Sequence, residues 1–116
     1  MKIKLLTLLL FMVTSVTGQQ TYFISSCGND SADGSLDSPL LHIHEAIERG
    51  ENSDDQEIHV YIREGKYYLD TSLVIDADKW KNKRLTLSAY NNESVVLSGA
   101  RKLSLKWVKQ KNGIWK

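Results

Sequence analysis

Three aspartates, Asp70, Asp76 and Asp78, are the residues of this 116-residue sequence whose type and spacing are best suited to catalysis. Two carboxylates held about 5–10 Å apart can serve as acid and base, or as acid and nucleophile, in the cleavage of a glycosidic bond. Aspartates are also frequent in exposed turns, where they are hydrated and hydrogen-bond to the nearby backbone. All three lie near predicted turns, so we favour the turn interpretation, and the sequence assigns no catalytic residue.

Other residues are of the types that bind metals. Residues 29–34 follow the spacing of a calcium loop, but an EF-hand needs Glu at the twelfth position, which is Leu40. His42 and His44 are two residues apart on a predicted helix, so we expect them to point to different sides and not to share a metal. His59 should point outwards from a predicted strand. We therefore predict a structural turn at 29–34 and no metal or cofactor bound by this segment.

Trp80, Trp107 and Trp115 are the side chains best suited to stacking on sugar rings. A single tryptophan near the end of a strand more often packs against the core or covers its edge. We favour that packing role for all three. The sequences that begin at Asn29 and Asn92 match the glycosylation sequon, which is a weak signal on its own.

The N-terminus has the pattern of a targeting segment. Lys2 and Lys4 precede an apolar run of nine residues, 5–13, which includes Thr7, and small residues follow at 16–18. This is the pattern of a secretory signal peptide, and the apolar run is too short for a transmembrane helix, which needs about 20 residues. We predict that residues 1–18 are a signal peptide and that the protein is secreted or periplasmic.

Cys27 is the single cysteine of the sequence, so an internal disulfide is excluded. Residues 24–27 loosely imitate a bacterial lipidation box, in which the cysteine directly follows the apolar run. Thirteen residues separate the apolar run from Cys27, so a lipid anchor is disfavoured. We predict an inert, half-buried thiol.

The net charge of +1 averages two unlike halves. Residues 19–78 carry three basic and thirteen acidic residues, whereas residues 79–116 carry ten basic residues and one acidic residue. Nucleic-acid binding is disfavoured, because the sequence lacks a Gly-rich phosphate loop, a basic helix and a stacking signature, and because export argues against it. We predict that the two halves attract each other across stacked units; an anionic polysaccharide bound on the basic side is the alternative.

Local patterns predict a short strand, a turn segment, a helix and then strands. Residues 21–24 are typical of a strand, and residues 28–35 are rich in turn formers. Apolar residues at i, i+3 and i+4 predict a helix over 41–49, and Gly50 is a good stop signal. Residues 51–57 are polar, which predicts a loop.

From residue 58 onwards the apolar period changes from 3.6 to 2, and the pattern then repeats. Three segments recur at similar spacing: residues 58–62 with 85–89 at 27, residues 67–69 with 95–97 at 28, and residues 73–75 with 103–105 at 30. Three short strands per unit predict successive rungs of a parallel β-solenoid. An ordinary small antiparallel sheet is the alternative.

The order of these motifs resembles a known family. Residues 22–25, followed by Gly-Asn-Asp at 28–30, Asp-Gly-Ser at 33–35 and Pro39, resemble the opening of secreted right-handed parallel β-helix proteins of the pectate-lyase-like superfamily. Residues 62–69 are similar to their Gly-x-Tyr rung corner. Residues 87–99 and 107–115 look like a subset of large polysaccharide-degrading members that includes β-helical glycoside hydrolases of Bacteroidota. Ser26-Cys27 and Leu40-Leu41-His42 depart from the usual pattern.

The resemblance implies an all-β, right-handed parallel β-helix. Its N-terminal cap, residues 19–57, would hold one short helix, and residues 58–116 would form about two rungs of a longer chain. The parent would be a glycoside hydrolase or polysaccharide lyase, with its active site on later rungs beyond residue 116; a non-catalytic glycan-binding or adhesion protein is the alternative. This segment alone would be inactive. The partner would be a polysaccharide, with no nucleic acid and no membrane span, and the resemblance admits calcium in the parent.

Overall fold

A computed structural model describes residues 18–106 of the chain. The chain forms five short strands, one helix and a single 3₁₀ turn in these residues. In chain order they are β1 (Gln19–Ile24), α1 (Ile43–Asn52), β2 (Glu57–Ile62), β3 (Gly65–Tyr68), β4 (Arg84–Ala89), the 3₁₀ turn (Tyr90–Asn92) and β5 (Val95–Ser98). The protein is therefore mostly β, with parallel sheets and one helix, as the sequence predicts in outline.

β1, β2 and β4 form one parallel sheet with β2 in the centre. Ile58 lies opposite Leu85, and Ile62 lies opposite Ala89, so the predicted 27-residue repeat is confirmed residue for residue. The antiparallel alternative is wrong. The alternate residues of β2 are buried, because successive side chains of a strand point to opposite faces of the sheet.

β3 and β5 form a second parallel sheet, and here the predicted spacing is wrong. Gly65 pairs with Val95, an offset of 30 residues and not 28. Two residues separate β2 from β3, whereas five separate β4 from β5. The 3₁₀ turn Tyr90–Asn92 supplies the extra length. Because the error is an even number of residues, it leaves each side chain on the face that the sequence predicts.

The strands predicted at residues 73–75 and 103–105 are not formed. Both segments are irregular, and Val74 is 72% exposed and Leu103 69% exposed. Within residues 18–106 no neighbouring strand pairs with either segment. Alternation over three residues does not make a strand without such a partner, because cross-strand pairs stabilise the sheet.

α1 covers the end of the first sheet with its apolar face. The helix begins two residues later than predicted and extends to Asn52, two residues into the predicted loop. Its buried side Ile43, Ala46 and Ile47 joins a core that also contains Ile24, Leu40, Ile58 and Val60. Trp80 is buried in the same cluster, so its predicted packing role is confirmed, whereas Trp107 and Trp115 lie outside the described residues.

The acidic and basic halves meet at ion pairs between neighbouring segments. Lys79 Nζ lies 2.9 Å from Glu51 Oε2, and Arg84 Nη1 lies 3.4 Å from Glu57 Oε1. Both pairs join a residue of the basic half to one of the acidic half, as expected if the two halves attract each other. Across residues 18–106, no helix is long and apolar enough to cross a membrane. The predicted signal peptide lies outside the described residues, apart from Gly18.

Candidate functional site

The three aspartates nominated from the sequence do not form one site. Asp76 Oδ1 accepts a hydrogen bond from the backbone N–H of Asp78 at 3.0 Å, which is the geometry of an aspartate turn. Asp70 lies apart from that turn, on the wall of a cavity beside α1. The structure thus gives Asp76 the turn role that the sequence favours and places Asp70 in a different environment.

The calcium-like segment at 29–34 is also held by turn hydrogen bonds. Asn29 Oδ1 accepts from the Ser31 N–H at 2.8 Å, and Asp33 Oδ1 accepts from the Ser35 N–H at 2.9 Å. The hydrogen bonds from the Ser35 backbone and side chain lower the pKa of Asp33. Among residues 18–106 no three His, Cys, Asp or Glu side chains are grouped so that they could hold a metal ion.

Asp30 connects this turn segment to the start of α1. Its Oδ1 accepts from the backbone N–H groups of Leu41 and His42 at 3.0 and 2.9 Å, and its Oδ2 lies 2.5 Å from His42 Nδ1. Burial raises the pKa of Asp30, but these hydrogen bonds outweigh burial and lower it below its ordinary value. The carboxylate therefore anchors the two residues that lead into α1 from more than ten residues upstream, and no local sequence signal indicates this contact.

Arg49 makes a second link between α1 and the turn segment. Its Nη1 and Nη2 donate to the carbonyl oxygens of Ala32 and Asp30 at 2.7 and 2.6 Å. Its Nε donates to Glu45 Oε1 at 2.7 Å, one helical turn earlier. A planar guanidinium can satisfy several acceptors in a fixed geometry, so Arg49 holds the helix against the turn segment.

A cavity of about 340 Å³ lies between the start of α1 and β3. The start of α1 forms one side, and the segment from β3 to Thr71 forms the other. Its lining residues are Ser26, Leu41, His42, Ile43, His44, Lys66, Tyr67, Tyr68, Leu69, Asp70 and Thr71. A concave, partly apolar cavity with a few polar side chains is the usual form of a small-molecule site.

The placement of both His42 and His44 on this cavity corrects the prediction that they point to different sides. His42 is the residue before the helix, with extended backbone angles of φ −111° and ψ 138°, so the helical period does not apply between the two. His44 Nε2 lies 3.2 Å from the Ser72 carbonyl oxygen and 3.1 Å from Thr71 Oγ1. The helix start thus contributes two imidazoles to one cavity.

The opposite face of the first sheet carries an aromatic cluster that the sequence did not predict. The rings of Phe23 and Tyr61 stack with their centres 5.5 Å apart, and Tyr90 meets both rings edge-on. His59 lies beside Tyr61 on this outer face, as predicted. The Arg63 guanidinium lies 5.2 Å from the centre of the Tyr90 ring. These rings cover one another's faces, so they pack together and leave little surface on which a sugar could stack.

Cys27 is exposed, which corrects the expectation of a half-buried thiol. It lies in a turn in which the Gly28 N–H donates to the Ser25 carbonyl oxygen at 2.9 Å. The turn directs the residue away from the core.

No protein-family model matches the sequence, and no curated protein matches it. Two solved structures do resemble the fold. One, described as "Glycoside hydrolase", is 25% identical over 80% of this chain with a TM-score of 0.66, and the other, described as "The complex structure of XylC with xylose", is 23% identical over 82% with a TM-score of 0.54. The chain spans only 17% and 14% of the lengths of those two proteins. The fold of this chain is thus shared with part of a protein described as a glycoside hydrolase and with part of a protein whose structure was solved with xylose.

Proposed function

We propose that this chain is the N-terminal part of a secreted right-handed parallel β-helix protein that acts on a polysaccharide. The parallel register supports this proposal most directly. Ile58 pairs with Leu85 in the first sheet, and Gly65 pairs with Val95 in the second. The chain therefore adds a parallel strand first to one sheet and then to the other, and it repeats this order. A chain that returns to the same sheet every 27–30 residues is the arrangement of stacked solenoid rungs.

Similarity to the structure described as a glycoside hydrolase supports the carbohydrate part of the proposal. That similarity covers most of this chain but less than a fifth of the other protein. We therefore place the active site, either of a hydrolase or of a lyase, on rungs beyond residue 116. Residues 1–18 direct export, residues 19–57 form the cap, and no residue of this segment is catalytic. The polysaccharide belongs to the later rungs, and this segment itself holds no cofactor.

The test is an activity assay on the protein as its full reading frame encodes it. Reducing-end release and unsaturated products are measured on xylan and on pectic substrates, which separates hydrolase from lyase chemistry. Residues 19–116 alone serve as the matched control. We expect products with the full protein and none with the control. Turnover by residues 19–116 alone would overturn the placement of the active site.

A non-catalytic glycan-binding or adhesion protein is the second candidate. The cavity beside α1 favours it, because that cavity has the form of a binding site and contains no pair of opposed carboxylates. Retention of the full protein on immobilised polysaccharide without release of any product would support this candidate over the enzyme.

A further inference from the structure

β3 leaves part of its backbone unpaired on the side of the cavity. The N–H of Gly65 donates to the Ser94 carbonyl oxygen at 3.1 Å, and that of Leu69 donates to Ser98 at 2.8 Å. A parallel strand directs alternate residues to its two neighbours, so the N–H and C=O groups of Lys66 turn to the opposite side. Within residues 18–106 no strand lies on that side of β3, and hydrogen-bonding capacity therefore faces the cavity.

The side chains of the cavity add donors and acceptors with defined roles. A carboxylate only accepts, so Asp30 holds a proton of His42 on Nδ1 and leaves Nε2 available to a ligand. The Ser72 carbonyl likewise only accepts, so His44 carries its proton on Nε2. Thr71 Oγ1, 3.1 Å from that nitrogen, accepts from it and keeps its own hydroxyl proton free to donate.

The lining is apolar between these polar groups. Leu41, Ile43 and Leu69 contribute aliphatic surface, and the Tyr68 side chain lies at the margin with the Lys66 ammonium 5.3 Å from the centre of its ring. A sugar ring has the matching character, because its hydroxyl groups project from a ring that also carries C–H surface. Tyrosine suits such a ligand, since it offers an apolar ring with a polar end.

The charged residues and the volume of the cavity narrow the class of ligand that fits it. The lining contains one lysine, Lys66, and one aspartate, Asp70, while His42 is paired with Asp30. The opposite charges of Lys66 and Asp70 leave no excess that would select an anion. The volume of about 340 Å³ lies in the range of small-molecule sites, and β3 is too short to template an extended peptide over many residues.

We propose that this cavity binds one neutral sugar residue of a glycan, as a subsite separate from the site of reaction. The proposal rests on the proposed function, because it takes the protein to act on carbohydrate, and it adds a binding site in the cap. The free edge of β3, His42 Nε2, the Thr71 hydroxyl and the separate side chains of Lys66 and Asp70 hydrogen-bond the sugar hydroxyls. The Tyr68 ring and the leucines contact its C–H surface.

The test measures binding of xylose, glucose and galacturonate to the full encoded protein by calorimetry and by ligand-observed NMR. Tyr68→Ala and Thr71→Val remove contacts at the cavity without touching the core. Tyr61→Ala, an aromatic deletion on the outer face of the other sheet, is the matched control. We expect a neutral sugar to bind, with affinity lowered about tenfold by Tyr68→Ala and about fivefold by Thr71→Val, and unchanged by Tyr61→Ala.

Hydrogen exchange supplies a second measurement that locates the ligand. Exchange over residues 65–71 should slow when the neutral sugar is present, whereas exchange over β4 should not change. Binding that survives both cavity variants, a preference for galacturonate, or no binding of either neutral sugar would overturn the subsite. The polysaccharide assay tests the proposed function separately, so a protein that degrades xylan but fails these measurements contradicts the subsite alone.

Discussion

Arg63 and Glu93 lie 30 residues apart in the sequence and join the connection between β2 and β3 to the connection between β4 and β5. Arg63 Nε lies 3.2 and 2.9 Å from the two carboxylate oxygens of Glu93, and Arg63 Nη2 lies 3.1 Å from Oε1. The same carboxylate accepts a hydrogen bond from the backbone N–H of Glu64 at 2.8 Å. The connection after β2 is therefore hydrogen-bonded to the connection between β4 and β5, and these contacts hold the two sheets in a common register.

Glu93→Gln should lower the melting temperature at pH 7. The hydrogen bond from Arg63, followed by that from the Glu64 amide, lowers the pKa of Glu93. A carboxylate with a lowered pKa stabilises the folded state above its ordinary pKa of about 4.3, and this stabilisation is lost as the pH falls through the folded-state value. The difference between wild type and variant should therefore shrink between pH 6 and pH 3 in thermal unfolding followed by circular dichroism.

Glu64→Gln is the control for this experiment, because Glu64 is exposed and contributes its backbone, not its carboxylate, to the contact. It should leave the melting temperature nearly unchanged at both pH values. An equal loss for Glu93→Gln at pH 7 and pH 3 would contradict a role for the ionised carboxylate.

Asp30→Ala should destabilise the protein by about 1 kcal/mol, the usual net contribution of a hydrogen bond. The substitution leaves the N–H groups of Leu41 and His42 without their acceptor and releases the His42 ring. Urea denaturation of the two proteins measures the change. Asp37→Ala, which removes an exposed aspartate before Pro39, should have little effect, and a similar loss in both variants would argue against an anchoring role for Asp30.

Gly50→Ala should destabilise the protein although alanine is the better helix former by about 1 kcal/mol. A Cβ at this position would lie 2.9 Å from Ile58 Cγ2 and 2.9 Å from Trp80 Cη2, both in the core. Overpacking of this kind costs about 1–3 kcal/mol, so the net effect should be a loss. Glu48→Ala, on the exposed side of α1, is the control, and a more stable Gly50→Ala variant in urea denaturation would refute the close approach.

Lys83→Met should loosen the end of α1. Lys83 Nζ donates to the carbonyl oxygens of Gly50 and Glu51 at 2.9 Å each, and also to that of Ser53. These carbonyls lie where a helix leaves its last acceptors unsatisfied, and losing a charged donor to them should cost about 1.5–3 kcal/mol. Hydrogen exchange over residues 48–53 should become faster in this variant and not in Lys81→Met, which removes an exposed lysine nearby.

The sequence by itself determined which residues enter the strands and the helix and which faces they bury. Strand alternation and helical periodicity are properties of the local backbone, so Ile58, Val60 and Ile43 were identified as core residues from spacing alone. The 27-residue repeat followed for the same reason, because paired strands of one sheet need the same inward pattern. The repeat also predicted the parallel arrangement of the sheets, and the resemblance implied the same arrangement.

Only the tertiary structure determined the lengths of the connections between strands and the residues that line the cavity. The three extra residues at Tyr90–Asn92 shift the second sheet to a 30-residue repeat, and apolar periodicity carries no information on turn length. His42 and Thr71 lie 29 residues apart, and they share a cavity because the start of α1 approaches the segment that follows β3. Such contacts depend on how distant elements approach one another, whereas local patterns report only on the conformation of neighbouring residues.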